Sequence, residues 1–262
     1  MPSNPLRDLD ALVRLCGDDQ ALFASDMHLA GHDPVTVTAF VAALARHGAD
    51  ATHLFLLGDL FDLWVGDDNH DAVADALGGC LERLADGGRE VWLMRGNRDF
   101  LIDTGTPTFS ERHHAHLLPD PCLIELFGER VLLAHGDALC IDDVPYQQLR
   151  AQMRSAQWQQ NFLAQPLAGR LDFARNLRSR SEHEKQGKAE TLMDANEAEV
   201  RRVMREAGVT TMIHGHTHRP AHHRDEADGV TLHRWVLPDW DAAAGRGGFL
   251  RVDVRGWRFE EP

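Results

Sequence analysis

His53-Leu54-Phe55-Leu56-Leu57-Gly58-Asp59 is an apolar run of strand length that delivers a carboxylate directly after a glycine. In an open α/β sheet the carboxyl ends of the strands line the crevice where ligands bind, and glycine lets the backbone turn sharply there. The same grammar recurs outward in both directions. Ala21 to Ala24 leads to Asp26 and His28, Val91 to Met94 leads to Asn97, Val131 to Ala134 leads to His135, and Thr211 to Ile213 leads to His216 and His218. A lone Gly-Asp would ordinarily cap the next helix or fill a turn. A core does not require five apolar runs to end in carboxylate, amide or imidazole, whereas a pair of divalent metal ions does. Asp59 is the group expected between the two ions.

A chain of 262 residues with 43% hydrophobic content can bury a large core, and α/β domains of this length are often single. The expectation is one domain, residues 21–262, carrying an insertion and preceded by an extension of residues 1–20. A net charge of -14 argues against a nucleic-acid partner, because such affinity comes from neutralising phosphates with Lys and Arg. Cys16, Cys80, Cys122 and Cys140 form no Cys-x-x-Cys pair and read as free thiols in a reducing compartment such as the cytoplasm. Met1 to Gln20 carries Arg7, Asp8, Asp10, Arg14, Asp18 and Asp19 without an apolar core, unlike a signal peptide. No stretch approaches the ~18 apolar residues of a membrane span, so any membrane contact is expected to be peripheral.

Along the chain, Leu6 to Leu15 reads as a short helix and Ala21 to Ser25 as the first strand. Asp33 then caps a helix with Pro34 at its first position, and Val37, Phe40, Val41 and Leu44 recur at helical spacing. After the strand to Leu57 and the polar loop Gly66 to His70, a second helix runs to Asp86 and stops at Gly87-Gly88, before a strand from Glu90 to Met94. This β-α-β-α-β order predicts parallel pairing with right-handed crossovers. Cys122 to Leu126 and Val131 to Ala134 read as a hairpin, which makes the sheet mixed. From about Val144 to Lys188, helical stretches carry Trp158, Phe162, Leu163, Leu167, Leu171, Ala174 and Leu177 as an apolar series, and residues 150–188 hold eight basic against three acidic side chains. An amphipathic packing helix with a solvated charged face is the plainer alternative. Beside the metal motifs, a basic and apolar insertion suits an anionic amphiphile. A helix from Asp194 to Ala207 leads to the last of the five runs, and the tail reads as strands Thr231–Leu237 and Phe249–Val254 joined by a glycine-rich turn.

Asp26-x-His28 and His216-x-His218 place two donors at i and i+2, on one face of an extended chain. By spacing alone His214/His216 is an equally good pair. Oxygen and imidazole donors without thiolate suit Mn²⁺ and also admit Fe, Zn or Co. Two ions roughly 3.5–4 Å apart polarise phosphoryl oxygens, acidify a water and clamp the attacking and leaving oxygens.

Asp26-x-His28, Gly58-Asp59, Gly96-Asn97, His135-Gly136-Asp137 and Gly215-His216-Thr217-His218 together resemble the ordered motifs of the calcineurin-like metallophosphoesterases, over about residues 21–254. The resemblance implies an α/β sandwich of two mixed β-sheets flanked by helices, with a helical cap insertion at about 144–188. It implies two Mn²⁺ ions, one held by Asp26, His28, Asp59 and His218 and the other by Asp59, Asn97, His135 and His216. It thereby prefers His218 over His214 as the partner of His216. More narrowly, Ser25-Asp26-Met27-His28-Leu29, Gly96-Asn97-Arg98-Asp99-Phe100-Leu101 and His214-Gly215-His216-Thr217-His218-Arg219-Pro220 are similar to the branch of that family acting in lipid A biosynthesis. That implies a UDP-2,3-diacylglucosamine substrate, cleaved at its pyrophosphate to 2,3-diacylglucosamine 1-phosphate and UMP by a protein peripheral on the cytoplasmic face of the inner membrane. It further implies substrate contacts at Asn97, Arg98, Asp143, Ser181, Lys185, Lys188 and His216, with Asn97 and Arg98 catalytic. Once these ligands are assigned, no metal role is needed for His113, His114 and His116, and His222, His223 and His233 read as solvated or structural.

Arg98 carries an independent inference. Many phosphatases of the superfamily have His after the Asn, able to protonate a leaving alkoxide, whereas a guanidinium stays charged and cannot act as a general acid near neutral pH. The leaving group should therefore need no proton. A phosphoanhydride fits, because it expels a phosphate monoester already stable as an anion, and Arg98 can clamp charge in the transition state. A surface pair between Arg98 and Asp99 is the plainer alternative. A general metallophosphodiesterase or nuclease is disfavoured by Arg98 and the acidic charge, and a noncatalytic scaffold of the same fold by the complete donor set.

Overall fold

Period-two alternation along the central strands builds a layered molecule. In the computed structural model, residues 10–185, 194–227 and 229–262 are described, with side chains except at 180–185. Among these residues, β1 (Arg14–Leu15), β2 (Ala21–Ala24), β3 (His53–Leu57), β4 (Glu90–Met94), β5 (His116–Leu118), β6 (Cys122–Leu126), β7 (Glu129–Ala134), β8 (Thr211–His214), β9 (Ala221–Ala227), β10 (Val230–Val236), β11 (Phe249–Asp253) and β12 (Gly256–Glu260) form two six-stranded sheets. One has the order β12-β11-β2-β3-β4-β5 and the other β1-β6-β7-β8-β10-β9. In the first, β2 to β5 are parallel and β11 and β12 antiparallel; in the second, β7, β8 and β10 are parallel. The predicted parallel start and the β6–β7 hairpin are both present.

Residues one apart on a strand face opposite layers. Phe23, Phe55, Leu57 and Met94 meet Ile124, Val131, Leu133 and Ile213 between the sheets. Their neighbours Leu22, Leu54, Leu56 and Leu93 face outward onto Phe40 and Leu44 of α1 (Pro34–Gly48) and Leu77 and Leu81 of α2 (Ala72–Asp86). After the short α3 (Phe109–Arg112) come α4 (Val144–Met153), α5 (Ala156–Leu163), α6 (Leu167–Lys185) and α7 (Glu197–Ala207). Val200 and Met204 of α7 cover Leu123, Leu132 and Met212 on the far side of the second sheet. The product is helix, sheet, sheet, helix. Asp33 caps α1 as expected, accepting the Thr36 N–H ahead of Pro34. Among the described residues no helix is long and apolar enough to cross a membrane.

One expectation is corrected. Residues 10–15 are not helical, and Arg14–Leu15 pairs parallel with Glu125–Leu126. Val13 and Leu15 are buried around an exposed Arg14, a strand alternation that outweighs the leucine spacing; the remainder of that predicted helix lies outside the described residues. The two expected tail strands are present as β10 and β11; they belong to different sheets, and each takes its own hairpin neighbour, β9 and β12. β9 reads Ala-His-His-Arg-Asp-Glu-Ala. Its charges protect a sheet edge, which hides it from a search for apolar runs.

Candidate active site

The donors of the five apolar runs converge because parallel strands end together. Asp26 and His28 follow β2, Asp59 follows β3, Asn97 follows β4, His135 follows β7, and His216 and His218 follow β8. The sharp turn after β3 admits only glycine: Gly58 has φ 87°, and a Cβ there would lie 2.6 Å from Gly96 N and 2.7 Å from His135 Nδ1. Asp26, His28, Asp59, His216 and His218 are themselves left-handed, with φ of 56°, 46°, 51°, 67° and 54°. Such conformations cost about 1–3 kcal/mol each and persist only where the surroundings over-determine them. Here the loops are cross-tied. Asp26 N donates to Gly58 O (3.1 Å), His28 N to Asp59 O (2.9 Å), Gly215 N to His135 O (2.8 Å) and His216 N to Asp26 Oδ2 (2.7 Å).

Two clusters result. Asp26, His28 and His218 each bring a donor atom within 4.8 Å of the others, and Asp59, His135 and His216 do the same. Asp59 stands between them, Oδ2 3.7 Å from His28 Nδ1 and Oδ1 3.6 Å from His135 Nε2. Asn97 adjoins the second cluster, Oδ1 3.0 Å from His135 Nε2. His135 Nδ1 lies 2.9 Å from Leu57 O, so the neutral ring donates there and turns the Nε2 lone pair toward two oxygen acceptors. In the first cluster His28 Nε2 and His218 Nε2 face each other at 3.2 Å, and buried Asp26 Oδ1 and His28 Nδ1 find no hydrogen-bond partner. With their protons displaced, these converging nitrogen and oxygen donors in a buried space fit cations.

The electrostatics agree. Burial works against charge on His135, but Asp59, Asp26, Asp137 and Asp120 outweigh it and raise its pKa to about 9. His218 is likewise raised to about 9, burial being overcome by Asp239 and Asp26. Burial is the chief cause that lowers His28 and His216 to about 4. Asp26 sits well below the carboxylate range, because the surrounding imidazoles overcome its burial.

Three carboxylates brace these loops. Asp99 is not a surface partner of Arg98. It is fully buried and accepts the backbone N–H groups of Leu60 (2.6 Å), Gly96 (2.7 Å), Asp59 (3.3 Å) and Phe61 (3.4 Å). Burial and the adjacent Asp59 raise its pKa to about 7. Asp137 Oδ2 accepts from Tyr146 Oη (2.8 Å), Arg150 Nε (2.7 Å) and Arg154 Nη2 (3.3 Å), tying α4 to the site. Asp239, after β10, lies 3.4 Å from His218 Nδ1. Sequence inspection passed over Asp239 and Tyr146; only the Pro238-Asp239-Trp240 turn after an apolar strand hints at the former.

His214 is not in either cluster: it is buried, with Nδ1 2.8 Å from Gly215 O and Nε2 3.3 Å from Arg234 Nη1. His113, His114 and His116 pair separately with Glu82, Asp86 and Glu90, and His222 stacks on Trp235. Asp143 caps α4 through Tyr146 N. The side chains of Ser181 and Lys185, and all of Lys188, lie outside the described residues.

Asn97 and Arg98 also line a cavity of about 120 Å³ whose other walls are largely apolar, including Trp64, Phe100, Met153, Trp158, Phe162 and Phe173. The Arg98 backbone is fixed by its own N–H, which donates to Asp59 Oδ1 at 2.8 Å. Of the predicted apolar series, Trp158, Phe162, Ala174 and Leu177 line this cavity; Phe162 and Ala174 are at the same time buried in the core, against which Trp158, Leu163, Leu167 and Leu171 pack.

A family model, calcineurin-like phosphoesterase, matches residues 20–220, and the chain belongs to that family. Among its relatives, the UDP-2,3-diacylglucosamine hydrolase of Stenotrophomonas maltophilia (strain K279a) is 45% identical, covering 91% of this chain and 97% of that protein. Proteins of the same name from Aromatoleum aromaticum and Chromobacterium violaceum are each 46% identical, covering 90% of this chain and 94% and 96% of their own. Within the family the chain groups with these UDP-2,3-diacylglucosamine hydrolases.

Proposed function

We propose that this chain is a dimetal hydrolase that cleaves the pyrophosphate of UDP-2,3-diacylglucosamine to 2,3-diacylglucosamine 1-phosphate and UMP, in lipid A biosynthesis. The observation that carries it is the meeting of two chemistries at Asn97 and Arg98. Both line an apolar cavity beneath α4 to α6, and Asn97 also touches the Asp59, His135 and His216 cluster. A nucleotide-linked diacyl sugar needs both halves of that arrangement.

Asp26, His28, Asp59 and His218 would hold one Mn²⁺ ion, and Asp59, Asn97, His135 and His216 the other. Bound there, the ions supply Lewis-acid polarisation of phosphoryl oxygens and an acidified water. Arg98 keeps its proton throughout and neutralises charge developing on the phosphoryl oxygens. Either half of the pyrophosphate leaves as a phosphate monoester anion, so no residue has to act as general acid. Asp143, Ser181, Lys185, Lys188 and His216 complete the proposed substrate contacts. Residues 144–188 are assigned as a cap on the domain 21–262. Its apolar wall takes the acyl chains, each buried methylene contributing ~0.8 kcal/mol. Phe173, 42% exposed beside the cavity, suits a cap that collects its substrate from the cytoplasmic face of the inner membrane by peripheral contact.

The test follows the phosphorus resonances of UDP-2,3-diacylglucosamine, a soluble phosphodiester and single-stranded RNA with the purified chain. Conversion of the UDP-lipid to UMP and the sugar phosphate, far ahead of the other two, is expected. Faster turnover of RNA or of the simple diester would replace this function with a general phosphodiesterase.

A further inference from the structure

The loop after β10 is fastened to the Asp26, His28 and His218 cluster at several points. Leu237 N donates to His214 O (2.8 Å) and Trp240 N to Asp26 O (3.1 Å). The Trp240 ring sits edge-on to Phe40 at 4.8 Å and to Phe249 at 5.2 Å, which locks the loop to the core. Between these anchors Asp239 is 5% exposed, with Oδ2 3.4 Å from His218 Nδ1 and 3.1 Å from Arg246 Nε. Arg246 is set in turn by Asp241, through a side-chain contact of 3.0 Å and reciprocal backbone bonds. Arg246, Asp239 and His218 thus form a relay that ends at His218 Nε2, which lies 3.4 Å from Asp26 Oδ1.

A carboxylate on one imidazole nitrogen fixes the tautomer and ring plane, leaves the lone pair on the other nitrogen, and makes that nitrogen a stronger donor. A buried carboxylate left without a counter-charge is unfavourable, and Arg246 supplies the counter-charge. We propose that Asp239, balanced by Arg246, is a positioning residue that holds His218 with Nε2 turned toward Asp26 and His28, and so sets the affinity of that cluster for its divalent ion. The assignment rests on the dimetal centre proposed above.

Chelator-stripped full-length protein is titrated with Mn²⁺ by calorimetry, and the His218 ring nitrogens are read by long-range ¹H–¹⁵N correlation in the Zn²⁺-loaded form. Wild type is expected to bind two equivalents, with His218 protonated on Nδ1. Asp239→Ala should weaken one equivalent by about 10–100-fold and leave the other unchanged. Asp239→Asn keeps an acceptor without the charge, so it should retain the tautomer and lose less affinity. Thermal melting checks the fold, and if Asp239→Ala does not fold, a several-fold loss at one equivalent in Asp239→Asn carries the test. Wild-type affinity at both equivalents in either folded variant, or equal loss at both with a lowered Tm, overturns the assignment. If wild type itself binds no metal, the dimetal centre fails, a result distinct from failure of Asp239 alone.

Discussion

Gly58 and Asp59 show how one turn supports both fold and chemistry. A methyl group at position 58 would lie 2.6 Å from the Gly96 backbone, at a φ of 87° that L-residues rarely adopt. Gly58→Ala should therefore destabilise the chain by at least about 1–3 kcal/mol and lower metal content, measured by thermal unfolding and metal analysis. His135 and His218, with pKa raised to about 9, hold protons at pH 7.5 in metal-free protein. Metal ligation must displace those protons, so Mn²⁺ affinity should rise with pH up to about 9. Calorimetric titrations in buffers of different ionisation enthalpy should report the proton release, and buffer-independent heats would contradict this. Arg98→Ala should depress kcat with metals retained, and Arg98→Lys should recover only part, because a point charge cannot reproduce the planar fork. Wild-type turnover of the UDP-lipid by Arg98→His would remove the case for an anionic leaving group. The clustered donors were legible in sequence because each closes an apolar run. Asp99 was not, because its four partners are backbone N–H groups contributed by two separate loops, which no side-chain motif records.

The helices α4 to α6 are joined to the scaffold both by apolar packing on the core and by polar ties, among them Arg154 to Gly96 O and Arg170 to Asp68. Asp137 receives Tyr146, Arg150 and Arg154 from α4 or its end. Asp137→Asn should therefore loosen the cap and raise KM for the lipid substrate while Mn²⁺ stoichiometry stays at the wild-type value. Loss of the metals in that variant would mean that the carboxylate supports the centre directly. Trp158, stacked on Phe162 at 4.7 Å and lining the cavity, is the position where Ser should raise KM for the diacyl substrate and spare a small phosphodiester. Leu171 packs on the same core without lining the cavity, and Leu171→Ser should lower Tm instead of changing specificity. Equal losses on both substrates in a folded Trp158 variant would place the proposed cap in the catalytic scaffold. The sequence marked this region by its apolar residues and local positive charge, but helical spacing could not tell which of the apolar positions also line the cavity. The same limit hid β9, whose seven residues are mostly charged or imidazole, and turned the strand at Arg14–Leu15 into an expected helix.

Two sheets face each other across an apolar layer, and their parallel strands release every proposed ligand on one edge. This follows from chain order, because parallel strands with crossovers on one hand bring their carboxyl ends together; the parallel α/β start was therefore legible in the runs, whereas the sandwich of two sheets was implied only by the family resemblance. How the second sheet is closed was not legible, because β10 and β11 are adjacent apolar strands along the chain that part to different sheets. The acidic balance of -14 coexists with a local excess of basic residues at 150–188, which on the proposed reading favours one anionic amphiphile over polyanions generally. The central claim is that one molecule joins a two-ion centre to a lipid-nucleotide cavity. The most direct measurement titrates Mn²⁺ into chelator-stripped protein while following UMP release from UDP-2,3-diacylglucosamine. Activity should be absent in the stripped protein and rise to a plateau when two equivalents are bound. Undiminished UMP release from stripped protein, or none from protein carrying both ions, would contradict the account.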